Sequence, residues 1–154
     1  MKAVLQRVKF ARVTVDGEIV GETGKGYMIL LGVMEGDTEA EMKLLAKKTA
    51  ELRVFEDENG KMNLSVLDVG GDALVVSQFT LCADVSHGRR PSFIKSAKPD
   101  EANRLYEAYV EELRCNGIKN VQTGRFGADM AVELLNDGPV TILFDTDEWK
   151  KKTH

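Results

Sequence analysis

The chain has 154 residues, 43% of them hydrophobic and 30% charged, and its formal net charge is -4 at pH 7. This length and apolar content predict a single domain over residues 1–154, with a core that needs no disulfide or structural metal. The negative charge argues against a protein that coats DNA or RNA, although it allows a small RNA footprint. Because no apolar run approaches about 20 residues and polar residues soon follow Met1, we expect a cytoplasmic protein without a membrane partner.

The first third of the chain predicts a hairpin, a central strand and a helix. Apolar residues with mostly even spacing precede Asp16-Gly17, a pair typical of tight hairpin turns. The continuous apolar run 27–33 predicts a strand covered on both faces. Thr38 and Glu41 have the spacing of a capping box, which predicts a helix over about Thr38 to Glu51.

The remaining two thirds predict further strands and one more main helix. Asn59-Gly60 indicates a second hairpin, and the apolar run 73–76 predicts a buried strand. Pro99 predicts the first turn of a helix that ends near Gly117. Strand-like segments with glycine-rich connections follow up to Phe144. The fold class predicted is α/β in the mixed α+β sense, rich in strands and with two main helices.

The usual catalytic constellations are absent from the sequence. The histidines are His87 and His154, no serine lies in a Gly-x-Ser-x-Gly elbow, and no phosphate-binding loop of the Walker type occurs. Cys82 and Cys115 lack the paired spacing of a metal or redox site, so we interpret them as packed free thiols. No metal and no cofactor are predicted.

Ser77-Gln78-Phe79-Thr80-Leu81 places polar side chains where a buried strand should end. One interpretation is structural, with these groups bonded to neighbouring backbone. The other is catalytic: backbone N–H groups near Phe79 and Thr80 could stabilise the oxyanion of an activated ester without a strong base. The Thr80 hydroxyl is the alternative nucleophile, which we rank second because no base is positioned to activate it.

A second polar segment, Asn136-Asp137-Gly138-Pro139-Val140-Thr141, lies far along the chain. Asp137 could act as an acid, but Asp-Gly-Pro is also common turn chemistry. Pro139 would then begin a strand over 140–144, where a strand tolerates proline. The sequence does not establish whether the Gly138-Pro139 peptide bond is cis.

The stretch Ser86 to Lys98 is the longest segment without clear periodicity, and such loops are often lids or binding loops. It contains Arg89, Arg90 and Lys95. Other positive clusters lie near the start of the chain and at Lys150-Lys151-Lys152. Each cluster can be either a solvated face or a binding surface.

Taken together, the motifs resemble those of the D-aminoacyl-tRNA deacylase family over essentially the whole chain. The matched segments, in order, are Met1 to Val8, Ala11 to Val13, Gly26-Tyr27, Leu52 to Phe55, Lys61 to Asn63, Ser77 to Leu81, Gly88 to Phe93, Gly124 to Met130 and Asn136 to Thr141. The resemblance implies barrel-like sheet packing and hydrolysis of the ester that joins a D-amino acid to tRNA. Glycyl-tRNA is expected to escape the chiral filter in part.

The resemblance also implies a homodimer with both active sites at the interface. Ser77 to Thr80 of one subunit would face a cis Gly138-Pro139 segment of the other, which excludes L side chains rather than attracting D ones. Arg7 resembles the arginine that braces this segment. Phe126 and Met130 match residues that line the pocket for the terminal adenosine of tRNA, whose 2'-hydroxyl is expected to assist the reaction.

Two alternatives remain open. A non-catalytic dimer that binds RNA ends or an amino-acid-like ligand would use the same pocket without turnover. A broad esterase would work through the hydroxyl of Thr80 or Ser77 and would hydrolyse simple esters without ribose.

Overall fold

The computed structural model describes residues 1–150 of the chain. The strands are β1 (Lys2–Val15), β2 (Glu18–Thr23), β3 (Gly26–Gly32), β4 (Phe55–Glu56), β5 (Met62–Leu64), β6 (Asp72–Ser77), β7 (Val121–Thr123) and β8 (Ala131–Asp145). The helices are α1 (Glu39–Glu51), α2 (Pro99–Cys115) and the short α3 (Thr146–Trp149), with a 3-10 helix over Phe79–Cys82. His154 and most of the lysine cluster at 150–152 lie outside the described residues. The mixed α/β class is confirmed.

The main sheet combines antiparallel and parallel pairing. Its strand order is β2-β1-β3-β6-β7, and β8 pairs with β1. β3 is buried over most of its length and lies between antiparallel β1 and parallel β6, so the predicted central strand is confirmed. The sheet curls towards a barrel, which brings its two end strands, β2 and β7, close together. A Cβ at Gly21 in β2 would collide with the carbonyl oxygen of Thr123 in β7.

Local turn and cap signals account for the element boundaries. Asp16 and Gly17 both have positive φ, 50° and 80°, as the turn between β1 and β2 requires. The capping box at α1 is present, since the Thr38 side chain accepts from the backbone of Ala40 while the Glu41 side chain accepts from the backbone N–H of Thr38. Pro99 occupies the first turn of α2. These predictions are confirmed.

The helices α1 and α2 cover one face of the sheet. Their apolar stripes enclose a core with β1, β3 and β6 that includes the fully buried Leu45, Leu105 and Tyr109. Within it, the hydroxyls of Thr49 on α1 and Tyr109 on α2 lie 2.8 Å apart, so this buried polar pair is satisfied. A second, smaller apolar cluster lies inside the curled part of the sheet, around Val13 and Leu74.

β8 departs from the sequence-based expectation. Pro139 was predicted to begin a strand after a turn, but one strand runs from Ala131 to Asp145 through it. The ladder with β1 passes from Gln6↔Thr141 to Val8↔Asn136. The four residues 137–140 of β8 therefore lie opposite a single residue of β1, Arg7, and are outside the regular pairing. Proline is tolerated there because β8 pairs only with β1 and because the ladder is already interrupted.

The first residue is hydrogen-bonded to Asp37 and to Thr146, the residue that follows β8. The Met1 ammonium donates to Asp37 Oδ1 at 2.9 Å and to Thr146 Oγ1 at 2.8 Å, and Met1 is fully buried. The backbone N–H of Thr146 in turn donates to the Met1 carbonyl at 3.0 Å. No helix within residues 1–150 is long and apolar enough to cross a bilayer.

Candidate active site

The segment from Ser77 to Leu81 turns sharply away from the sheet. Ser77 is the last residue of β6, and the backbone N–H of Gln78 still donates to the Leu31 carbonyl of β3 at 2.8 Å. The chain then enters the 3-10 helix. Gly32 permits this close approach, because a Cβ there would lie 3.0 Å from Leu81 Cβ and 3.1 Å from the Gln78 carbonyl oxygen. The turn therefore holds the segment at the carboxyl edge of two parallel strands.

This turn leaves backbone donors available. Phe79 and Thr80 are the first residues of the 3-10 helix, so their N–H groups have no carbonyl partner within it. The side-chain amide of Gln78 donates to Thr80 Oγ1. Because an amide N–H is a donor, Gln78 cannot remove the proton of the Thr80 hydroxyl.

A cavity of about 730 Å³ opens beside the segment. One wall is formed by Ser77, Gln78 and Phe79. A second wall is formed by the last part of the loop that leads into α2, from Phe93 to Lys98. Phe79, a residue that is 55% exposed, packs edge-on against Phe93 with ring centroids 5.0 Å apart. The volume falls within the range of small-ligand sites, about 300–1,000 Å³.

The third wall comes from the stretch between β7 and β8. Phe126, Ala128 and Met130 line it, and Phe126 packs on Tyr106 of α2 with centroids 6.0 Å apart. Tyr106 donates its hydroxyl to the Val75 carbonyl at 2.8 Å, and burial raises the pKa of Tyr106 to about 12. This tyrosine therefore remains protonated near neutral pH and holds the wall in place.

The second polar segment forms a separate group with Arg7. Arg7 is only 4% exposed; its Nε donates to the Asp137 carbonyl at 2.9 Å, and its Nη1 donates to the Val54 carbonyl at 2.7 Å. The Gly138-Pro139 peptide bond is cis, and Gly138 has φ 134°. Both residues are exposed.

The structure thus divides the predicted site residues into two groups. Ser77, Gln78, Phe79, Phe126 and Met130 line one cavity, and Thr80 is bonded to its wall. Arg7, Gly138 and Pro139 do not line that cavity.

Sequence reasoning missed Phe93 and Lys98 as cavity residues. Their position at the end of the unpatterned loop, just before Pro99, was the available signal.

Other reactive side chains lie apart from the cavity. The His87 ring bonds to its neighbour Ser86, with Nδ1 2.8 Å from Oγ. Cys82 is buried, which raises the pKa of its thiol, whereas Cys115 is exposed and so is not the packed thiol that was predicted. Within residues 1–150, no group of three or more His, Cys, Asp or Glu side chains is arranged to hold a metal ion.

Comparisons with known proteins match nearly the whole chain. The profile of the D-Tyr-tRNA(Tyr) deacylase family matches residues 4–145. Proteins named D-aminoacyl-tRNA deacylase from Ruegeria pomeroyi and Syntrophotalea carbinolica are 59% and 61% identical to this chain. These alignments cover 94% and 95% of this chain and 99% and 97% of the relatives.

Solved structures share the fold. The c-Myc DNA unwinding element binding protein superposes with a TM-score of 0.89 at 43% identity, covering 94% of this chain and 98% of that one. A probable eukaryotic D-amino acid tRNA deacylase superposes with a TM-score of 0.79 at 18% identity, covering 93% and 97%. This second likeness concerns the fold alone.

Proposed function

Because the chain belongs to the D-Tyr-tRNA(Tyr) deacylase family, we propose that it hydrolyses the ester between a D-amino acid and tRNA. The products are the free D-amino acid and tRNA, and glycyl-tRNA is a second substrate. One observation of the site carries the proposal: free backbone donors at Phe79 and Thr80 adjoin a cavity of about 730 Å³ with apolar walls. All 154 residues act as one deacylase domain in this proposal.

The chemistry proposed is ester hydrolysis with the oxyanion held by backbone. Water adds to the acyl carbon, and the developing negative charge on the carbonyl oxygen is stabilised by the N–H groups of Phe79 and Thr80. The bond to the ribose 3' oxygen then breaks, and that oxygen takes a proton. The neighbouring 2'-hydroxyl of the substrate orients the water and relays the proton, so the protein supplies position rather than a base.

The terminal adenosine is proposed to occupy the wall formed by Phe126 and Met130. An aromatic ring and a thioether offer a nucleobase stacking and dispersion contacts without fixing its identity. Phe126 is supported from behind by Tyr106, whose own hydroxyl is bonded to the sheet. The aminoacyl ester would then extend towards Ser77 and Phe79.

Chiral selection is proposed to require a homodimer. The exposed Gly138 and Pro139 of the partner subunit would enter the cavity and leave no space for an L side chain. The separation of these residues from their own cavity supports this arrangement. So do Leu135 and Leu143 on the same edge strand, which are 48% and 74% exposed. Arg7 would position the segment through its bond to the Asp137 carbonyl.

A Thr80 nucleophile is the weaker alternative mechanism. The hydroxyl oxygen of Thr80 accepts from the Gln78 amide, a group that cannot act as its base. Tyr106 is not a base either, because its hydroxyl donates to the Val75 carbonyl and burial raises its pKa to about 12. The His87 ring is engaged by Ser86 on the adjoining loop. A water nucleophile is therefore preferred.

The direct test compares D-Tyr-tRNA and L-Tyr-tRNA under multiple turnover with a chelator present. The proposal expects rapid loss of the D ester and little loss of the L ester. Loss of neither ester, with tRNA binding retained, would instead support a non-catalytic binding dimer. Equal hydrolysis of both, extending to simple esters without ribose, would support a broad esterase.

A further inference from the structure

The loop between the 3-10 helix and α2 contains a short finger, residues 85–91, whose base adjoins the cavity residue Phe93. Its base is closed by reciprocal backbone bonds between Asp84 and Ser92, at 2.8 and 2.9 Å. The Asp84 carboxylate also accepts from the backbone and hydroxyl of Ser86, at 3.0 and 2.6 Å. Gly88 has φ 67° at the tip. These bonds give the finger a defined base.

The base of the finger is attached to the cavity wall. Phe93, which immediately follows the closing pair, packs on Phe79 and lines the cavity. Further on, the Ala97 N–H donates to the Val33 carbonyl at 3.0 Å, and the Lys95 carbonyl accepts from the Glu35 N–H at 2.8 Å. The base of the finger is therefore fixed relative to the cavity wall, and three residues on each side of its tip can span about 10 Å from that base.

The finger carries positive charge that the described part of the chain does not neutralise. Arg89 and Arg90 are exposed, and neither has a carboxylate within 4.0 Å among residues 1–150. Of the six other arginines, Arg7, Arg12, Arg104 and Arg114 have such a partner, whereas Arg53 and Arg125 have none among residues 1–150. Arg89 and Arg90 differ from Arg53 and Arg125 in being adjacent, so two unpaired charges lie together on one short finger in a chain with a net charge of -4.

We infer that Arg89 and Arg90 bind phosphates of the tRNA acceptor end that lie beyond the terminal adenosine. This inference rests on the proposed function. A nucleoside within the cavity carries its phosphodiester chain out past the rim, where exposed guanidinium groups match phosphate oxygens in geometry and charge. Two such contacts add affinity without reading sequence, which suits an enzyme that acts on many tRNAs.

The test uses the double variant Arg89→Ala/Arg90→Ala and two substrates. With D-Tyr-tRNA as substrate, kcat/KM should fall because KM rises, while kcat is retained. On the D-tyrosyl ester of adenosine, which has no phosphate, the rate should equal that of the unmodified protein. When salt rises from 50 to 200 mM, the kcat/KM for tRNA of both proteins should fall, and the fall should be about tenfold smaller for the variant. The reason is that two phosphate contacts contribute about 1.4–1.8 to the slope of log kcat/KM against log salt concentration.

Two matched variants isolate the charge and the place. Arg89→Lys/Arg90→Lys keeps the charge and should restore most of the salt dependence. Lys25→Ala/Lys119→Ala removes the same charge at the opposite edge, where β3 begins and just before β7, and should leave the tRNA reaction unchanged.

An equal loss on the adenosine ester, or an unchanged salt dependence on tRNA, would overturn the inference. If the unmodified protein hydrolyses neither ester, the proposed function fails separately. Binding of uncharged tRNA to the same variants then decides the phosphate contacts alone: a smaller salt slope in the alanine variant supports them, and an identical slope refutes them.

Discussion

Replacing Arg7 by methionine should destabilise the protein by about 2–4 kcal/mol, because it removes two charge-assisted hydrogen bonds made by a buried side chain. The two acceptors are the carbonyls of Asp137 and Val54, at 2.9 and 2.7 Å. Each such bond contributes about 1.5–3 kcal/mol. Two such bonds would together contribute about 3–6 kcal/mol. Methionine preserves much of the volume and avoids the cost of burying a charge, which reduces the expected net loss to about 2–4 kcal/mol.

The measurement is urea unfolding followed by circular dichroism at one fixed protein concentration. The midpoint should fall while the m-value stays constant, and Tm should fall by roughly 5–15 °C. Arg12→Met is the matched control on the same strand. The Arg12 side chain is 34% exposed and its partners, Glu22 and Glu133, are more so, so its loss should change stability much less.

An Arg7→Met protein within about 0.5 kcal/mol of the unmodified one would refute this reasoning, since surface substitutions have effects of that size. It would mean that water or another donor replaces the guanidinium at both carbonyls. The D-to-L ratio of deacylation in the same variant tests the positioning role separately. Under our proposal the ratio falls, because the Asp137 carbonyl is released next to Gly138.

Three further results are expected. Thr80→Ala should keep kcat/KM for D-Tyr-tRNA within about threefold, because the Thr80 hydroxyl takes no part in the proposed reaction. A large fall in kcat/KM with the fold intact would restore the nucleophile mechanism. Gly138→Ala should lower that kcat/KM by tenfold or more, which corresponds to about 1.4 kcal/mol in the activation barrier. The reason is that Gly138 has φ 134° and that a Cβ there would lie 3.1 Å from Arg7 Nη2. Gly60→Ala, at an open turn with φ 76°, is the control for backbone strain. An aromatic disulfide reagent should label Cys115 quickly and Cys82 only on unfolding, because burial raises the pKa of the Cys82 thiol and hides it; two equally fast thiols would contradict the packing described.

Local sequence signals were sufficient for much of the fold. The capping box at Thr38, the Asp16-Gly17 turn and the proline at the start of α2 each depend on residues within one turn of the chain. Such interactions are the same in a peptide and in the folded protein, so pattern alone predicts them. The continuous burial of β3 is predictable for the related reason that both of its faces are covered.

Long-range pairing decided the rest. Asp137-Gly138-Pro139 has turn chemistry, yet the ladder with β1 keeps it within one strand and Arg7, 130 residues away, bonds its backbone. The contribution of Phe93 to the cavity depends on its contact with Phe79 across a loop that has no periodicity. The residues around each segment do not identify its distant partner, and tertiary contacts override local preference in such places.

The pairing of β8 with β1 has a consequence for synthesis on the ribosome. Because β1 precedes β8 in the chain, the edge of β1 that pairs with β8 remains open until residues 131–145 have been synthesised. Until then the nascent chain exposes an unpaired edge of 14 residues, a template for unwanted association. We expect chains released before residue 131 to be rapidly degraded by protease, whereas a release after residue 146 should give protected protein.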